Sequence, residues 1–169
     1  MNRAGFALVE LIVILVILGI LLSIATMDFS ATQRRKQIES RTRELFNDLN
    51  EARLNSIYTK KRHAIVMEPG SYTFRQYSSE NEAKFASGTK VLRSVNSPYK
   101  YSKTGGTDFS GETILFDIRG NTNDHQTIYI NPVNSGAMFD CIVIHTARTN
   151  MGQGGDSTSD GQPDSCTTQ

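Results

Sequence analysis

The chain has 169 residues, a net charge of +1, 38% apolar residues and no Trp. That length fits one domain of ordinary size plus extra segments. The charge balance shows none of the basic excess that marks a nucleic-acid binder, and it singles out no charged partner.

The first element is an apolar stretch over 6–27, 22 residues in which Glu10 is the only charge. As a helix it would extend about 33 Å, against about 30 Å for a bilayer core. A carboxylate inside such a stretch is expensive and marks a functional site with a partner to be named. Two simpler readings compete. One is a cleaved secretory signal with Arg3 as its basic end and 23–25 as the cut site, but the apolar run exceeds the usual ~7–15 residues. The other is a plain signal anchor. Neither explains Glu10.

No Pro occurs before Pro69, and no Gly between Gly19 and Gly70. The helix is therefore expected to continue to about Tyr58. Over 28–60 it is amphipathic. Ile38, Leu45, Leu49 and Ala52 repeat at helical spacing, widened by Phe46 and Ile57. Glu39, Arg43, Asp48, Glu51 and Arg53 fall mostly on other faces. Arg34, Arg35 and Lys36 suit lipid headgroups or a contact between subunits.

From 61 to 148 the pattern changes to short strands, expected at 63–67, 72–77, 89–95, 113–118, 127–130 and 140–145. Pro69-Gly70, Gly105-Gly106 and 119–125 supply turns, and the spacing favours antiparallel pairing. The fold class is α+β. A long N-terminal helix, transmembrane then amphipathic, packs on a mainly antiparallel domain of one or two sheets. The stretch 149–169 is Gly, Ser, Asp, Gln and Thr with almost no apolar residue. It is expected as a tail or as a loop pinned by Cys166.

Cys141 and Cys166 have 24 residues between them. In an exported domain two thiols most often pair, and the chain-entropy estimate for that loop is roughly 3–4 kcal/mol. Two free thiols are the alternative. Asp156, Asp160 and Asp164 are candidate calcium ligands in an oxygen-rich loop, although the EF-hand spacing is absent and a solvated polar loop is the favoured reading. His63, His125 and His145 have no ligand spacing to one another. No residue set suggests a catalytic triad, so no catalytic residues, no resident cofactor and no enzyme activity are expected.

The N-terminus, Met1-Asn-Arg-Ala-Gly5 followed by Phe6, with Glu10 fifth from the junction and a long apolar helix, resembles the signal of type IV pilins and type II secretion pseudopilins. The resemblance implies a leader over 1–5. It further implies cleavage between Gly5 and Phe6 by a prepilin peptidase, N-methylation of Phe6, and Glu10 as an assembly contact. The implied partners are other pilin subunits in a helical filament, the peptidase, an inner-membrane assembly platform, and lipid before assembly.

A looser resemblance covers Leu45-Phe-Asn-Asp-Leu-Asn-Glu-Ala-Arg-Leu-Asn-Ser-Ile57 and Ile114-Leu-Phe-Asp-Ile-Arg-Gly120. Both are similar to GspH/FimT-like minor pseudopilins, with Ser56 where Ala is usual. The chain departs from the family in having Met27 where many pilins carry Pro. Only one basic residue, Arg148, stands in the stretch linked to DNA binding in some relatives, which argues against nucleic acid as a partner. By family orientation the 61–148 domain is periplasmic and the chain is single-pass in the inner membrane before entering a filament. Counting flanking charges alone gives the opposite orientation, with Arg3 before the span and Arg34, Arg35 and Lys36 after it. The function implied is a minor subunit of a type II secretion pseudopilus or a type IV pilus. A pilus-borne recognition subunit for DNA uptake or adhesion is the second reading, and an exported protein on an ordinary signal the third.

Overall fold

The computed structural model describes residues 8–79, 82, 90–132 and 135–168, with the backbone alone over 24–28. The chain divides into two compact units between Arg34 and Arg35. Helix α1 (Leu8–Thr59) contributes to both. Helix formers fill it, and it ends at Lys60, whose φ of 53° is a left-handed stop.

In the second unit, Ile38, Leu45, Leu49 and Ala52 are fully buried, with Thr42 and Ser56 on the same stripe. The two hydroxyls are satisfied by the helix itself. Thr42 Oγ1 lies 2.9 Å from the Ile38 carbonyl, and Ser56 Oγ donates to the Arg53 carbonyl at 2.6 Å. Asp48, expected on another face, is also buried. It occupies the turn between Leu45 and Leu49, where partners from the sheet reach it.

Nine strands follow: β1 (His63–Glu68), β2 (Ser71–Gln76), β3 (Lys90–Asn96), β4 (Tyr101–Ser102), β5 (Glu112–Phe116), β6 (Gln126–Ile130), β7 (Cys141–Ile144), β8 (Thr149–Gly155) and β9 (Ser165–Thr168). They form two sheets, ordered β3-β2-β1-β5 and β4-β6-β7-β8-β9. Every pairing is antiparallel. The α+β class and the two-sheet form are as expected.

One core joins the three layers. The helix stripe meets Ile65, Met67, Tyr72, Phe74, Ile114 and Phe116 of the first sheet, and Ile128, Ile130, Ile142 and Ile144 of the second. The turn after β5 brings Gly120 against the helix. Its φ is 82°, and a Cβ there would meet Ile57 Cδ1 at 2.8 Å and Arg53 Cγ at 3.0 Å. Only glycine satisfies both the backbone and the space.

The stretch 149–169 differs from a simple tail. It is pinned by Cys166, and it also carries β8 and β9, which extend the second sheet. Gly152, Gly154 and Gly155 give no apolar signal, because main-chain hydrogen bonds hold this hairpin. Gly152 is required by a close approach, since a Cβ would run into the Thr167 backbone and lie 2.9 Å from Cys166 Sγ.

Candidate functional site: an apolar helix with one carboxylate

The first unit consists, in its described part, of the N-terminal half of α1. From Leu8 to Leu22 its 13 large apolar side chains are all substantially exposed, from Ile14 at 45% to Leu8 at 75%. Burying each is worth about 1.5–3 kcal/mol, so moving them all into an apolar setting is worth on the order of 20–40 kcal/mol. A helix apolar on every face belongs in lipid or among other helices. Glu10 is its only charge over 8–23 and lies exposed in the first turn.

Among the described residues no helix is long and apolar enough to cross a membrane. Side chains here are described over 8–23 before the interval at 24–28. Sixteen residues make about 24 Å of helix, short of a bilayer core. The expected span of 6–27 passes that stretch at both ends. Gly5 and Phe6, the expected processing residues, lie outside the described residues.

In the second unit Cys141 and Cys166 form a disulfide, with Cα atoms 6.1 Å apart. It ties β7 to β9 across β8. Asp156, Asp160 and Asp164 lie in the loop between β8 and β9, and each carboxylate serves that loop's own backbone. Asp156 accepts the Gly161 amide at 2.8 Å, and Asp160 the Gln162 amide at 2.8 Å. Asp164 Oδ2 accepts the amides and hydroxyls of Ser157 and Thr158 at 2.9–3.1 Å. Those hydrogen bonds hold its carboxyl below the usual range. Among the described residues no group of three His, Cys, Asp or Glu is gathered to hold a metal ion.

Arg35 Nε donates to the Ser135 carbonyl at 3.0 Å, so this side chain is docked on its own unit. Of the histidines, His63 is buried with Nδ1 3.0 Å from the Lys61 carbonyl, and burial lowers its pKa. His125 contacts Thr146 Oγ1 at 3.2 Å.

Two buried carboxylates were not singled out by residue pattern. Asp48 accepts the Tyr72 hydroxyl at 2.5 Å and Arg93 Nη2 at 2.6 Å, and Arg93 lies over the Phe74 ring at 4.4 Å. Burial, then the Asp48 contact, pushes the Tyr72 phenol up. Asp140, 1% exposed, accepts the Gly154 amide at 2.5 Å. Burial pushes its pKa up to about 6 against the lowering effect of that hydrogen bond. A strand-start Asp beside a Cys is the one signal available for it, and it is weak.

Residues 1–26 match the prokaryotic N-terminal methylation motif. The chain thus opens with a type IV prepilin-like signal. That signal supports a type IV pilin-like or pseudopilin precursor, a structural subunit rather than an enzyme, and a protein that is membrane-anchored or exported. It also implies assembly with other pilin subunits. No curated protein and no solved structure matches the chain.

Proposed function

We propose that this chain is a minor pilin or pseudopilin, cut between Gly5 and Phe6 by a prepilin peptidase and methylated on Phe6. The observation that carries the reading is the methylation motif over 1–26, together with a helix whose side chains over 8–23 are exposed and include Glu10 as their single charge. Before assembly, lipid of the inner membrane holds residues 6–27, with the second unit on the periplasmic side. An assembly platform then passes the helix from lipid into a helical filament.

Cleavage creates a cationic amine on Phe6. In a bundle of apolar helices, Glu10 of one subunit pairs with the Phe6 amine of a neighbour. Removing one partner of a buried pair costs about 3–5 kcal/mol, so the pair favours one axial register for each incoming subunit. Glu10→Ala and Glu10→Leu are expected to accumulate in the membrane and fail to enter filaments. Filament incorporation at the wild-type level would overturn this role.

The H-type subfamily is supported by how its motif residues sit. Ala52 and Ser56 are buried on the helix stripe, Arg53 reaches both sheets, and Gly120 closes the turn after Phe116. On this reading the subunit serves a type II secretion pseudopilus or a type IV pilus.

A recognition role is favoured by one feature, the loop over 156–164, which is exposed at 157–162 and carried by a disulfide-bonded hairpin. Its three carboxylates suit a protein or surface partner rather than DNA. Shortening 157–162 leaves β8, β9 and the disulfide in place. Under the recognition reading that variant assembles but loses binding, and unchanged binding would exclude it.

A further inference from the structure

Asp140 is a carboxylate the assembly reading does not use. It immediately precedes Cys141, is 1% exposed, and stands under the C-terminal hairpin. Its Oδ1 accepts the amide of Gly154, the residue paired in register with Cys166. Its own amide donates to the Gly152 carbonyl at 3.1 Å, and its carbonyl accepts the Ile130 amide at 2.8 Å. The hairpin is thus held to the body by a disulfide and a buried carboxylate one residue apart.

The charges around this carboxylate are few. On β6 the Tyr129 phenol is pushed up chiefly by burial, with smaller contributions from the charges of Asp164 in the hairpin loop and of Asp140. The strands β8 and β9 bring no titratable side chain, because Cys166 is oxidised. Helix α1 places Arg43 over the Phe139 ring and Glu39 on the Met138 amide, both beside the chain leading into Asp140. Among the described residues none forms an ion pair with Asp140. A buried charge without a counter-ion is unfavourable. An Asn would accept the same Gly154 amide without that penalty, so the carboxylate adds proton sensitivity at a cost in stability.

We propose that Asp140 is a proton-controlled latch on the β8–β9 hairpin, loosened when the carboxylate is charged and secured when it is protonated. The raised proton affinity of this group fits the geometry, and the working window lies between the usual Asp value and about 6. Acidity outside the cytoplasm would then set how firmly the 156–164 loop is presented. The proposal concerns the second unit alone and is independent of filament type.

Hydrogen exchange of the oxidised full chain, corrected for intrinsic rates, tests it from pH 4.5 to 7.5. Peptides covering 149–168 are expected to lose roughly tenfold or more of their protection as pH rises through the window, while those covering β1 and β2 hold theirs. Asp140→Asn is expected to abolish the change. A flat profile in the wild type, an equal loss over β1 and β2, or an unchanged profile in the Asn variant would overturn the latch. Carbon-detected titration of the wild-type Asp140 carboxyl gives a second readout that does not require the variant to fold. A midpoint near 6 supports the proposal, and one near 4 refutes it.

Discussion

Arg53 lies over the ring of Phe116, its guanidinium carbon 5.3 Å from the centroid. From there Nη1 donates to the Ala147 carbonyl at 3.0 Å and Nη2 to Thr149 Oγ1 at 3.1 Å. One side chain near the helix end therefore contacts β5 of the first sheet and the start of β8 in the second. Burial lowers the proton affinity of this guanidinium, and its Nε has no hydrogen-bond partner among the described residues. Arg53→Ala is expected to destabilise the second unit by about 2–3 kcal/mol, combining the lost charged hydrogen bonds and the ring contact. Arg53→Lys keeps the stem but not the planar fork and should recover less than half of that. Urea denaturation followed by circular dichroism measures both.

The Asp48–Tyr72 contact predicts an asymmetry. Tyr72→Phe removes a donor and leaves Asp48 bonded to Arg93, so about 1 kcal/mol is expected. Asp48→Ala strands a buried phenol and releases Arg93, with an expected cost of about 2–4 kcal/mol. Equal costs for the two variants would mean that the network is not organised around the carboxylate.

Asp140 makes stability depend on pH in a definite direction. Its folded-state pKa of about 6 lies above the ordinary Asp value near 3.8, so the native state binds the proton more tightly. The favourable contribution is full below the ordinary value and disappears as pH rises through about 6, a change on the order of 2–3 kcal/mol. His63 acts oppositely. Its lowered pKa makes stability fall as pH drops below the ordinary His value. The clean quantity is the difference between wild type and Asp140→Asn. The variant should gain relative stability at pH 7.5 and lose that gain by pH 4.5, measured by melts at matched ionic strength.

Gly152→Ala tests the hairpin. The added methyl meets the Thr167 backbone and Cys166 Sγ, neither of which is a flexible side-chain end. Its expected cost is about 1–3 kcal/mol. Replacing both cysteines by Ser should cost about 2–4 kcal/mol. The two effects should add to less than their sum, since both act on the same attachment of β9.

Much of this was legible in the residues. Ile38, Leu45, Leu49 and Ala52 repeat at helical spacing and are fully buried, and in β2, after Pro69-Gly70, buried Tyr72 and Phe74 alternate with partly exposed neighbours. What was not legible has specific causes. Strands β8 and β9 contain glycine and hydroxyl side chains whose pairing is carried by the main chain, so hydropathy is silent there. The charge of Asp48 reads as a sign of exposure, whereas Tyr72 and Arg93 satisfy it inside. The loop aspartates that suggested an ion accept backbone amides. Glu10 stood out from the first because its neighbours are so uniformly apolar.

The central claim is that the chain is processed and assembled as a pilin-like subunit, and the N-terminus of the mature protein tests it most directly. Intact mass and terminal fragmentation of the protein purified from its own cells should show a chain beginning at Phe6 with one added methyl group. A chain beginning at Met1, or one beginning at Thr26 as after an ordinary secretory cleavage, would contradict the account.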